Sequence, residues 1–165
     1  MSVAMPQTET ALGDCRDFLS VVRAAVPLLD PAPIEAYLAR HIVVLLCNEV
    51  ESLIASYLNE MVDAAGCTPP VANLLKSVKR PVRSIRNDDI AEMLGALGLN
   101  YKATFKAEVQ QLIGDAGSSR MGSAAVARDD AAHRSPPAVT LAELELTTQA
   151  ALGSLQAVRT TLGLP

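Results

Sequence analysis

The sequence has no Trp, and only Phe18, Tyr37, Tyr57, Tyr101 and Phe105 carry aromatic rings in its 165 residues. That set argues against nucleic-acid modules that stack bases on aromatic platforms. Histidine is scarcer still, with His41 and His133 alone. The three cysteines, Cys15, Cys47 and Cys67, are far apart, odd in number and form no C-x-x-C. Neither a disulfide framework nor a structural zinc site fits that pattern. Walker, Rossmann and zinc-protease motifs are missing too, so neither metal nor cofactor is expected. Residues 1–10 carry no basic segment followed by an apolar one, as a secretory signal would. The longest strongly apolar run, Ile42 to Cys47, is far short of a bilayer span. A cytoplasmic protein with no membrane partner is the expectation.

What is present is apolar and helix-favouring. Half of the residues are hydrophobic and 19% are charged, enough apolar surface to offset the entropy of ordering the chain. The length suits one domain over 1–165, with an ordered core over about 8–162. The 14 basic and 18 acidic residues give a net charge of −4. A globally basic nucleic-acid binder is excluded, whereas a local basic patch is not.

Three- and four-residue spacings dominate, and strand-like alternation is nearly absent. Leu12, Cys15, Leu19, Val22 and Val26 predict a helix from about Thr8 to Leu29. Apolar pairs from Tyr37/Leu38 to Met61/Val62 predict a second from about Ile34 to Ala65, with Gly66 as its stop. A four-residue step overshoots the helical turn by roughly 40°, so the apolar stripe winds around this helix. Val71 to Val78 reads as a short helix, interrupted by Pro81. Asn87 or Asp88 caps another, carrying Ile90, Met93, Leu94 and Leu97, and Gly98 closes it. Tyr101 to Ile113 reads as helix. Gly114 to Ser123, with three Gly and three Ser, reads as a loop. Ala124 to His133 reads as helix up to Pro136-Pro137. Thr140-Leu-Ala-Glu143 is a capping-box pattern that opens a helix to about Leu162. The sum is an all-α chain, an up-and-down bundle of four long helices with a short helical insert.

Arg128-Asp-Asp-Ala-Ala-His133 carries the chemistry of interest. It joins a permanent cation to the one side chain that titrates unperturbed near neutrality. Metal-free RNA cleavage needs both. An imidazole can take the 2′-hydroxyl proton or protonate the leaving oxygen, and a guanidinium can stabilise the charge on phosphorus. Positions five apart differ by roughly 140° around an α-helix. Arg128 and His133 therefore converge only if the helix distorts or ends, or if two chains build one site. The plainer reading is a solvated face, Arg128 to Asp130, followed by a polar residue at the helix end.

In its ordered context the chain resembles the HEPN superfamily (higher eukaryote and prokaryote nucleotide-binding domains), above all the RiboL-PSP-HEPN branch. The family's R-N-x-I-A-H-G is similar to Arg128-Asp129-Asp130-Ala131-Ala132-His133-Arg134. Its V-T-x-x-E-L entry to the last helix is similar to Val139-Thr140-Leu141-Ala142-Glu143-Leu144. Ile85 to Ile90 and Leu94 to Leu99 resemble its R-N-P-x-x-I and L-x-x-x-G-L segment, and Leu45 to Tyr57 its long acidic-spotted helix. Asp129 stands where Asn is common, Arg134 where Gly is common, and Asp88 where Pro is usual.

The resemblance implies a helical-bundle homodimer whose two Arg/His pairs face one cleft, with metal-independent endoribonuclease activity. His133 would be the acid/base, Arg128 the electrostatic stabiliser and Asp129 an orienting group. It also suggests a toxin, defence or RNA-processing effector with an antitoxin or operon-encoded partner. The alternative is a non-catalytic HEPN-type module that binds a protein or a nucleotide.

Lys76, Lys79, Arg80, Arg83 and Arg86 lie within eleven positions with no acidic residue among them. The other nine basic residues face 18 acidic ones. Charge segregated in this way suits a phosphate-binding surface, and equally a solvated helical edge with snorkelling side chains. Arg134 would extend that surface. Glu49 and Glu51 are candidate acids for orienting Arg128 or His133. The alternative for both is a solvated or intrahelical pair. His41 falls in the apolar stripe of the second helix and is expected in the core. The cysteines are expected to fill core space.

Overall fold

A computed structural model describes residues 3–66, 84–132 and 139–165. The expected short helix over 71–78, together with Cys67, Lys76, Lys79, Arg80, Arg83, His133 and Arg134, lies outside the described residues. Every regular element among those described is an α-helix.

Helix α1 spans Pro6–Ala25. Pro at the first helical position loses nothing, because that N–H would have no intrahelical partner. The helix stops four residues earlier than its periodicity predicts, at Ala25, with Val26 outside the helical region at φ −135° and ψ 75°. The following Pro27 disfavours helical backbone at Val26. Helix α2 spans Ala32–Ala64, 33 residues and about 50 Å. It ends where Gly66 turns at φ 62°. It is the one described helix long and apolar enough to cross a bilayer, and half of that stretch is buried within the fold.

Helix α3 (Asn87–Gly95) and helix α4 (Leu99–Leu112) pack on one another and, through α4, on the last helix. Helix α5 runs through Gly114–Ala132 and helix α6 through Leu141–Thr161. The capping box opening α6 forms as expected. Thr140 Oγ1 accepts from the Glu143 N–H at 3.2 Å, and Glu143 Oε2 accepts from the Thr140 N–H at 2.8 Å. Those bonds hold the Glu143 carboxyl below its ordinary range.

The predicted loop over 114–123 is instead the first half of α5. Glycine and serine are poor helix formers, so packing must supply the difference. Ile113 is the peg. A Cβ on Gly117 would come within 2.6 Å of it, and a Cβ on Gly153 of α6 within 2.3 Å. Only glycine permits that approach. Met121, one turn further on, is fully buried. Asn87 adds a polar tie across three helices. It donates to Ser118 Oγ at 3.0 Å, and its carbonyl accepts from Ser154 Oγ at 2.9 Å.

The core runs through Val43, Leu46, Val50 and Ile54 of α2, Phe105 of α4, and Leu144 and Leu155 of α6, all fully buried. Cross-links set the helix directions. Thr8 meets Glu49 while Arg23 meets Glu35, so α1 and α2 are antiparallel. Leu141 meets Glu35 while Arg159 meets Glu60, so α2 and α6 are parallel. Arg159 also sits 4.9 Å over the Tyr57 ring, a cation–π contact between the same two helices.

Candidate functional site

The edge between α2 and α5 holds the described part of the predicted site. The Arg40 guanidinium of α2 donates to the Ala131 carbonyl of α5. Seven residues on, the Cys47 thiol meets the Ala124 carbonyl at 3.9 Å. Advancing along α2 therefore means retreating along α5, and the two are antiparallel. Helical side chains lean toward their own N-terminus. Arg128 on α5 and Glu51 on α2 thus lean toward one another from opposite directions. They meet as an ion pair between Nη1 and Oε1, at the level of Cys47.

Arg128 retains 20% of its side-chain exposure and Glu51 21%, so the pair is mostly screened from water. Arg128 Nε and Nη2 each lie 3.4 Å from Asp129 Oδ1, itself exposed at the rim. Burial works against the guanidinium charge, but the Glu51 hydrogen bond and the neighbouring acids outweigh it and raise the Arg128 pKa. Within reach of these charges, burial pushes the Cys47 thiol up to about 12, with Arg128 opposing and Glu51 and Asp129 adding. A thiol held neutral is no nucleophile. Cys47 is core, as expected, whereas Cys15 is only half-buried.

Glu49 does not join this site. Two residues on a helix are roughly 200° apart, so Glu49 faces α1 while Glu51 faces α5. Its carboxylate accepts from the Gln7 N–H at 3.0 Å, the Thr8 N–H at 2.8 Å and Thr8 Oγ1 at 2.6 Å. It caps α1 from a neighbouring helix, satisfying first-turn amides that α1 leaves open. Of the two expected orienting acids, only Glu51 reaches Arg128.

Arg86 is the described member of the basic run. It precedes the first residue of α3 and borders a groove of about 640 Å³ with Ser119, Val126 and Asp130 of α5. Asp130 lies roughly 200° around α5 from Arg128. The structure therefore puts Arg86 and Arg128 on opposite sides of α5.

His41 is exposed, not core. The buried sector of α2 at that level is Ala39, Ile42 and Val43, and His41 lies beyond it. Its ring packs edge-to-face on Tyr37, with centroids 4.7 Å apart. Among the described residues no group of three His, Cys, Asp or Glu side chains converges as a metal site would.

One residue escaped the sequence reading: Arg40, which binds the end of α5. Cys47 was expected in the core, but its exposure to the charges of the ion pair was not. The spacing Arg40, Cys47, Glu51 is a signal that was present, since steps of seven and four stay on one helical edge. The chain matches no protein-family model, no curated protein and no solved structure.

Proposed function

We propose that the chain is a HEPN-type, metal-independent endoribonuclease acting as a homodimer in the cytoplasm. In this reading α1, α2, α5 and α6 are the four long helices of an up-and-down HEPN bundle, and α3 with α4 is the insert. One observation carries the proposal. Arg128 is fixed by Glu51 and Asp129 on a helix whose last described residue, Ala132, directly precedes His133 in sequence. A structural ion pair would need only Arg128 and Glu51. The ribonuclease reading also uses the imidazole five positions on.

The reaction follows from those two groups. The 2′-hydroxyl oxygen attacks the adjacent phosphorus, the O2′–P bond forms and the P–O5′ bond breaks. The products are a 2′,3′-cyclic phosphate and a 5′-hydroxyl. The His133 imidazole of one copy takes the O2′ proton, and that of the other copy delivers a proton to O5′. Arg128 donates to the non-bridging oxygens as charge builds on phosphorus. Asp129 and Glu51 hold the guanidinium plane. The substrate is RNA, drawn by Lys76, Lys79, Arg80, Arg83 and Arg134, with Arg86 adding positive charge from the other side of α5. An operon-encoded partner, an antitoxin in a defence setting, would restrain it.

The test is incubation of purified protein with total RNA in EDTA, beside His133→Ala and Arg128→Ala. The expected result is cleavage by the wild type that both substitutions abolish, with 2′,3′-cyclic phosphate ends. Equal cleavage by all three would mark a contaminant. No cleavage of any RNA would leave the non-catalytic module that binds a protein or a nucleotide.

A further inference from the structure

The outward edge of α2 near its start carries an unusual group. Tyr37 is 63% exposed, and His41, also exposed, meets it edge-to-face. Burial does not account for these rings. Tyr57 and Phe105 are core residues, whereas Tyr37 leaves most of its surface in water. Arg40 sits on the same side of the helix, with Tyr37 about 60° and His41 about 100° around from it. Its guanidinium is anchored on the Ala131 carbonyl, a neutral group. Among the described residues no carboxylate pairs with it.

An open ring beside an uncompensated, pre-positioned guanidinium is complementary to a nucleotide. The base offers a π-face to Tyr37, and the phosphate offers charge to Arg40. An apolar protein surface would cover the ring and strand the cation, and an acidic peptide would pair the cation and leave the ring in water. The composition argues against an aromatic stacking platform, and what stands here is a single exposed ring at one helix edge, with room for one base.

We propose that Tyr37, His41 and Arg40 form a base-stacking subsite for a single-stranded RNA nucleotide. This deepens the ribonuclease reading and rests on it. The site lies seven residues, about 10 Å, along α2 from the level at which Arg128 meets Glu51. It therefore takes a nucleotide flanking the scissile one. Tyr37 supplies the stacking face, His41 braces that ring from its edge, and Arg40 holds the flanking phosphate.

The test separates binding from cleavage. A fluorescein-labelled 2′-O-methyl decamer of mixed sequence lacks the attacking hydroxyl and is not cut. Its affinity for the full chain is measured by anisotropy across a salt series. Tyr37→Leu is expected to weaken binding roughly tenfold, while Tyr37→Phe, which keeps the π-face, binds like the wild type. Arg40→Gln is expected to lower the salt slope by about one unit. Thermal melts confirm that each variant is folded. Affinity unchanged in Tyr37→Leu, or no binding of the decamer by the wild type, overturns the subsite. Cleavage of ordinary RNA in those cases would leave the nuclease standing. Tyr37-dependent binding by a chain that cuts nothing would uphold the subsite and remove the nuclease.

Discussion

Arg128 and Glu51, 77 positions apart in sequence, close an ion pair across α2 and α5 whose charges reach the buried Cys47 thiol. The contact joins two helices, positions the central cation of the candidate site and sets the electrostatics of a buried sulfur. Each of those roles can be measured separately.

Glu51→Gln removes the charge and keeps the shape. A mostly buried guanidinium then loses its main partner, which costs about 1–2 kcal/mol at this degree of exposure. For a chain of this size the melting temperature should drop by about 2–8 °C. A double-mutant cycle with Arg128→Met should return a favourable coupling energy. Additive effects would mean that the two side chains do not interact in solution.

Cys47 predicts an alkaline weakness with a definite sign. Its folded value of about 12 lies above the ordinary thiol value of 9.0, so folding favours the neutral thiol. That contribution is complete below pH 9 and is lost as pH rises from 9 toward 12. The loss is about 1.4 kcal/mol for each pH unit in that window. Urea unfolding of reduced protein at pH 8, 9.5 and 10.5 should show a steeper decline for wild type than for Cys47→Ala. Parallel declines would contradict the burial of the thiol.

Glu49 should matter for stability rather than chemistry. Glu49→Ala strips the α1 N-terminus of three bonds to one carboxylate. The expected cost is about 2–3 kcal/mol, with faster hydrogen exchange at Gln7 and Thr8. On the proposed ribonuclease reading, RNA cleavage measured well below the melting temperature should persist. A variant with wild-type exchange at those amides would refute the cap.

Gly153→Ala sets propensity against packing. Alanine gains about 1 kcal/mol over glycine within a helix, but here its methyl group would stand 2.3 Å from Ile113 Cγ2. Ile113 cannot move away freely, because Gly117 bounds it on the other side. The net effect should be destabilising by about 1–3 kcal/mol. Combining it with Ile113→Ala should cost less than the two changes summed. A stabilised Gly153→Ala would show that the peg is not seated as described.

The helix content was largely legible from local pattern. Apolar spacing located α2 to within two residues at its start, and the Thr140-to-Glu143 box placed the start of α6. These signals are encoded within a few neighbouring residues. The first half of α5 was not legible, because its glycines are tolerated through Ile113 and Gly153, which a local window does not contain. The same reason separates Glu49 from Glu51. Both are acids on one helix, and only distant partners, Thr8 for one and Arg128 for the other, divide a cap from a site. His41 was misplaced because an apolar run hides where the buried sector ends.

The Asn87 tie to Ser118 and Ser154 reaches further than its own three helices. Much of the front of α5 is Gly, Ser and Ala, so that apart from the Ile113 peg and the buried Met121 little on it resists a roll of the helix on its bed. A slip of one residue is a roll of roughly 100°, enough to swing Arg128 clear of Glu51. Ser118 lies ten positions upstream and acts as the detent. The bearing of the guanidinium is thus set in part at Asn87, two helical turns and more from the ion pair it serves.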